Sequence, residues 1–309
     1  MIRFIFEFNH FKRISLNLLI VMCRTLLLIT NIILFFSSCG YNSSTYSPYL
    51  SKTKNIQFLV QKGKKFWEKR VNPDEANRSK LFLSKAYSLD PNNDEVAVLY
   101  SRACQFIGHY IETDPIKSDS LFTEGMYVAW DFIISTDSYQ EGSAFNQGNA
   151  EEKIIAGIEN LSDELLPILY WWVANYSSFL MTKPVMDRLE NRDKIETALH
   201  RILSIKPDFY YHGANRIIGG VYARLPGVEL IHAENNFEKS IKGSPDYFAT
   251  YVKRAQYLHT KNGDREKFVQ DLQKVLNMNP TILPEVSPEN LFEQEKAKIL
   301  LSKENSLFK

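Results

Sequence analysis

From residue 56 onward, apolar positions recur at helical spacing, and four segments repeat one pattern. Leu83, Ala86, Tyr87 and Pro91 stand three, one and four residues apart. Leu199, Ile202, Leu203 and Pro207 repeat this spacing, as do Phe237, Ser240, Ile241 and Pro245, and then Leu272, Val275, Leu276 and Pro280. Each reads as the second helix of a hairpin, stopped by a proline that disfavours helix in the residue ahead of it. Met126, Ala129 and Trp130 fit a fifth such helix without its proline. The periodicity predicts helix pairs at 56–70 and 74–88, 94–110 and 116–135, 163–181 and 185–205, 213–225 and 228–242, and 246–259 and 264–276. A short helix falls at 151–160, after a Gly/Ser/Asn-rich loop at 136–149, and an amphipathic charged helix at 288–302. No run of alternating β-branched residues occurs, so no sheet is expected.

The clearest hairpin is the stretch from Gly213 to Pro245. It has a turn at Leu225-Pro226-Gly227, and Gly213, Gly219, Gly220 and Ala223 keep one side of its first helix thin. Its second helix carries Ala233, Phe237, Ser240 and Ile241 as a stripe that needs neighbouring hairpins to cover it. The last three pattern prolines lie 38 and 35 residues apart, near the period of about 34 of tetratricopeptide repeats. The chain is therefore expected to be all-α: a TPR-like array of helical hairpins, an α-solenoid, with a C-terminal capping helix. The competing reading is an unrelated helical bundle whose helices also end before prolines.

The amino-terminal 38 residues are of a different character. Lys12, Arg13 and Arg24 precede the apolar runs Thr25–Ile29 and Ile32–Phe36, and Ser37-Ser38-Cys39 follows. A basic start, a short apolar stretch and small residues before a cut site make a secretory signal. A Cys directly after two small residues makes it a bacterial lipoprotein signal, with Cys39 as the acylated first residue. An uncleaved membrane anchor is the alternative, although Arg24 interrupts the span. Met22 would give a more ordinary signal length. The expected organisation is a signal at 1–38, a polar tether at 39–55 and a helical domain at 56–309.

Composition excludes more than it selects. Net charge is +1, which argues against nucleic acid as a partner. Removing residues 1–38 takes four basic residues and one acid with it, and leaves a formal charge of −2. The body then has no polybasic membrane patch, so the lipid alone would tether it. Cys104 would be the one remaining thiol, which leaves no intrachain disulfide, and it reads as a small buried apolar residue. The histidines show no His-x3-His spacing, and no phosphate loop, nucleophile elbow or dinucleotide fingerprint is present. No cofactor, metal or catalytic residue is expected.

The most unusual local feature is Tyr170-Trp171-Trp172, with Tyr176 and Phe179. Consecutive aromatics on a helix point in more than one direction. Interhelix packing is the plainer account of them. The sharper one is an aromatic-lined cavity suited to an apolar or amphipathic ligand.

With a lipoprotein signal, a TPR-like body, the Trp-rich helix and the stretch Gly213–Gly219–Tyr222–Leu225-Pro226-Gly227–Ala233–Phe237–Ile241, the chain resembles the T-component proteins of TRAP transporters (the TatT family). Val228-Glu229-Leu230 departs from the Gly-Gly-Asp usual after that turn. The resemblance implies a non-enzymatic, periplasm-facing lipoprotein that associates with a periplasmic solute-binding protein, holds a small apolar or organic-acid ligand, and self-associates as an oligomer. By the same analogy, Tyr170, Trp171, Tyr222, Arg224 and Pro226 would lie near the cavity or the partner surface. A TPR scaffold in envelope or outer-membrane assembly is the second reading. An enzyme with dispersed catalytic residues is a distant third.

Overall fold

Helix starts are set by side-chain caps. In the computed structural model, which describes residues 48–308, α1 (Pro48–Trp67) is followed by α2 (Pro73–Leu89) and α3 (Asp94–Phe106). Asn72 accepts from the amide of Asp74 at 2.9 Å, and Asn93 from that of Val96 at 3.1 Å. Asp114 does the same for α4 (Pro115–Ile134) at 2.9 Å. Each oxygen satisfies an amide with no partner in the first helical turn. The chain continues through α5 (Asp137–Phe145), α6 (Ala150–Glu159), α7 (Leu166–Met181), α8 (Val185–Glu190) and α9 (Arg192–Ile205). It then forms α10 (Phe209–Arg224), α11 (Leu230–Gly243), α12 (Ala249–Lys253), α13 (Arg265–Asn277), α14 (Ser287–Ser302) and α15 (Glu304–Leu307). Among the described residues there is no strand, and no helix is long and apolar enough to cross a membrane.

The fold is an array of helical hairpins of the TPR-like, α-solenoid class. The repeated spacing is its buried seam. Leu83, Ala86, Leu199, Ile202, Phe237, Ser240, Leu272 and Val275 are all at most 2% exposed. Their helices α2, α9, α11 and α13 each end two or three residues before the pattern proline. The third apolar position, Tyr87, Leu203, Ile241 and Leu276, covers the edge of the same cores.

Three elements differ from the sequence reading. The stretch 136–149 holds helix α5, because its small residues serve close packing. A Cβ on Gly142 would lie 2.4 Å from that of Asn160, and Tyr139 packs edge-on against Trp130. The single helix expected at 185–205 breaks at Asn191. There the side-chain amide donates to the Asp187 carbonyl at 2.8 Å and the side-chain oxygen accepts from Tyr176, local bonding that competes with the helix. Helix α1 begins at Pro48 and so covers Pro48–Asn55 of the stretch read as tether. The signal segment and Cys39 lie outside the described residues.

The C-terminal helix does more than cover the last hairpin. Besides packing on α13, α14 reaches back across the array. Glu289 pairs with Arg70, Phe292 packs on Phe106 and Tyr110, and Glu293 accepts from Tyr110. The first and last hairpins are thereby joined around an internal space.

Candidate ligand cavity

Two adjoining cavities lie inside this closure, of about 50 and 240 Å³. They share His109, Ser177, Ser178, Arg216, Ile217 and Lys253 along their common wall. Both walls carry π-helical turns. One, Ile107–Ile111, extends α3 and delivers His109 and Tyr110. The other, Arg254–His259, extends α12 and delivers Tyr257. Such bulges widen a helix locally and are frequent at functional sites.

The smaller cavity is closed by an aromatic cluster built on unusual backbone. Tyr210, Tyr211 and His212 have left-handed dihedrals, with φ of 46°, 59° and 54°. Right-handed helix begins only at Gly213, where the sequence periodicity places it. Each left-handed non-glycine residue costs about 1–2 kcal/mol, so the surroundings must hold the turn. Arg216 donates to the carbonyls of Tyr211 at 2.9 Å and Tyr210 at 3.3 Å, and His212 Nδ1 meets Ser244 Oγ at 2.9 Å. Tyr211 stacks on Tyr247 with ring centroids 4.9 Å apart, and Tyr210 packs edge-on against Trp171 at 4.8 Å. Gly213 is required by proximity, since a Cβ there would stand 2.4 Å from Tyr170 Oη.

The electrostatics of the two cavities differ. In the smaller, Glu289 is engaged by Arg70 at 2.6 Å and Arg102 at 3.9 Å. The larger is lined by Arg216, Arg224 and Lys253, with no acidic residue. Arg216 lies over the Tyr247 ring at 4.3 Å and donates to Tyr170 Oη at 3.1 Å. Burial, then the neighbouring Arg216, bring the Lys253 ammonium down to about 8, against an opposing pull from Glu293 and with a smaller push from Lys296. Burial and the adjacent Lys296 hold His109 at about 3. The imidazole is therefore neutral and accepts from the Lys296 ammonium at 2.8 Å, so its 3.8 Å approach to Glu293 is not an ion pair at neutral pH. Burial would raise Glu293, but the Lys296 charge, the nearby His109 and the hydrogen bond from Tyr110 bring it down to about 2.

Of the residues singled out in the sequence, Tyr170 and Trp171 line the smaller cavity and Arg224 the larger. Tyr222 lines neither. It packs beside Ala223, Ala233 and Leu230 on the outer hairpin, and Pro226 is exposed in the turn. Trp172 faces away and stacks on Trp130 at 4.8 Å. Sequence reasoning missed Arg216, Lys253, Tyr210 and the Glu289–Glu293–Lys296 face. An arginine inside the glycine-rich face of α10 was the one visible signal. No group of three or more His, Cys, Asp or Glu among the described residues could hold a metal ion.

A search among curated proteins finds no match for this sequence. A family model does match, over residues 118–308, more than half of the chain, and its description is TRAP transporter T-component. The matched segment supplies α7, α10, α12 and α14, four of the helices that enclose the cavities. By this match the chain belongs to the TRAP transporter T-component family and is an accessory component of that transport system.

Proposed function

We propose that this protein is a lipid-anchored, non-enzymatic accessory component of TRAP-type solute uptake. It faces the periplasm, holds a small apolar or organic-acid ligand in its internal cavity, and associates with a periplasmic solute-binding protein. The observation that carries this reading is the enclosure of an aromatic and cationic cavity largely by helices of the family-matched segment. Small-molecule sites are concave, mostly apolar and furnished with a few placed polar groups. Cleavage before Cys39 and its acylation would anchor the chain, with the residues between Cys39 and Pro48 joining the lipid to the helical body that begins with α1. Self-association is part of the same proposal.

The test is native mass spectrometry of the protein purified from its own envelope. A co-purifying solute-binding protein or small molecule, with Cys39 carrying a diacylglyceryl group, is the expected result. Recovery with outer-membrane assembly factors alone would overturn the uptake role in favour of a scaffold.

A further inference from the structure

The side of α7 turned away from the cavities carries a concavity of its own. Trp172 stacks on Trp130, and Tyr176 tilts against Trp172 with ring centroids 5.4 Å apart. With Met126, Tyr127 and Ile154, these rings line a surface pocket of about 200 Å³ between α4, α6, α7 and α9. Tyr127 is 56% exposed. Contiguous apolar surface rimmed by polar groups marks an interaction site.

The rim is acidic. An open trough of about 570 Å³ runs between α6 and α9, lined by Glu151, Glu152, Glu159, Asp193 and Glu196 and by no lysine or arginine. Lys194 belongs to the pocket and Glu151 to the trough, and the two pair at 3.4 Å, so this ion pair is the ridge between them. Glu196 is paired with Arg192 at 2.7 Å. Among the described residues, no basic side chain forms an ion pair with Glu152, Glu159 or Asp193. Phe145, next in the chain to Asn146 of the trough wall, is 86% exposed. The carboxylates alone would be a solvated face. The aromatic pocket across the ridge gives them a partner to select.

We propose that this face docks a basic polypeptide segment. One apolar or aromatic side chain of the segment sits in the pocket of Trp130, Trp172 and Tyr176, and its lysines or arginines lie along the trough. Charge complementarity chooses the occupant, since an acidic segment would meet three carboxylates that no cation offsets. An extended chain reaches both concavities across the ridge, which a small ligand in either one does not. Cationic side chains near the exposed Tyr127 also gain from its ring. The docking is independent of any ligand in the internal cavities.

The experiment is fluorescence anisotropy of the purified protein with three labelled hexapeptides. The first has a Trp-Leu pair flanked on each side by two lysines. The second has Gly-Gly in place of that pair, and the third has glutamates in place of the lysines. The first is expected to bind at least about tenfold more tightly than either of the others, the factor that one aromatic anchor supplies. Tyr127→Ala should weaken it by about tenfold. The double variant Glu152→Gln/Glu159→Gln should weaken it by about threefold and flatten its dependence on salt. All three side chains are exposed, so the melting curves should stay in place. Equal binding of the three peptides overturns the proposal, as does no binding of the first or an unchanged affinity in both variants. Self-association that both variants abolish, with no peptide bound, assigns the face to a second copy of this chain and overturns it as well.

Discussion

Replacing Glu289 with Gln tests whether the array is closed by its last long helix. Arg70 and Glu289 are separated by 219 positions in the chain and are 4% and 2% exposed. The pair is bidentate: Arg70 Nη2 lies 2.6 Å from Oε2 and Nε lies 3.3 Å from Oε1. Arg70 is fixed further by the Glu285 carbonyl at 2.5 Å and the Trp67 ring at 4.6 Å, so it cannot swing out to water when its partner is lost. Glutamine keeps the shape and one acceptor but removes the charge and puts an NH₂ against a guanidinium. Hydrogen bonds to charged groups contribute about 1.5–3 kcal/mol each. Breaking a buried pair by removing one partner costs about 3–5 kcal/mol. Retention of one acceptor sets the expected loss near 3 kcal/mol, read as a fall in the urea midpoint by circular dichroism. The double variant Arg70→Met/Glu289→Gln should recover about 1 kcal/mol or more relative to the sum of the single variants, because the Arg70 guanidinium is no longer left without its carboxylate. A loss below about 1 kcal/mol for Glu289→Gln would refute the reasoning, since that is the magnitude of an exposed pair.

Three further outcomes follow from single sites. Gly213→Ala places a methyl against the buried Tyr170 ring at 2.4–2.7 Å and should cost about 1–3 kcal/mol, whereas Gly220→Ala, with only the Tyr257 ring at 3.6 Å, should be neutral or stabilise by up to about 1 kcal/mol; paired melting curves check both. Lys253, brought down from 10.5 to about 8, binds its proton less well folded than unfolded. Stability should therefore rise between pH 8 and pH 10.5 by roughly 3 kcal/mol, and Lys253→Met should flatten that part of the profile. Burial would raise the Asp271 carboxyl, yet hydrogen bonds from His259 and Arg254 outweigh it and leave it below its usual value. Its stabilisation is present above the unfolded carboxyl range and is lost as pH falls through the lowered folded value. Acid denaturation of Asp271→Asn should be shallower there than that of wild type.

The hairpins were legible because their signals are local. A three-four periodicity ending before proline needs only the helix repeat and one steric rule, and the residues so marked are the buried ones. The glycine face of α10 was equally legible, as was the start of regular helix at Gly213, because glycine there answers a close approach. Where the reading failed, side chains were serving a neighbour rather than their own helix. Asn191 breaks a helix through its bond with Tyr176, and Gly142 in a loop-like stretch makes room for α6.

The cavity was the part that only tertiary structure decided. Tyr170 and Trp171 were visible as an aromatic cluster, but nothing in the order of residues says that Trp171 faces the cavity and Trp172 a stack with Trp130. Glu289, Glu293 and Lys296 stand four and three apart on α14, a spacing that looks the same on a solvated face as on a buried one. The closure of α14 onto α1 and α3 turns that face inward, where burial lowers Lys296 and a neutral His109 meets it. Lys253 became notable for the same reason. Its charge is common in sequence, and only the packing of α10 and α14 against α12 takes it largely out of water. Periodicity thus determined which residues form helices and which stripes are buried. The contacts that join residues some 200 positions apart determined which charges lie inside, because desolvation depends on what surrounds a group in space and not on its neighbours along the chain.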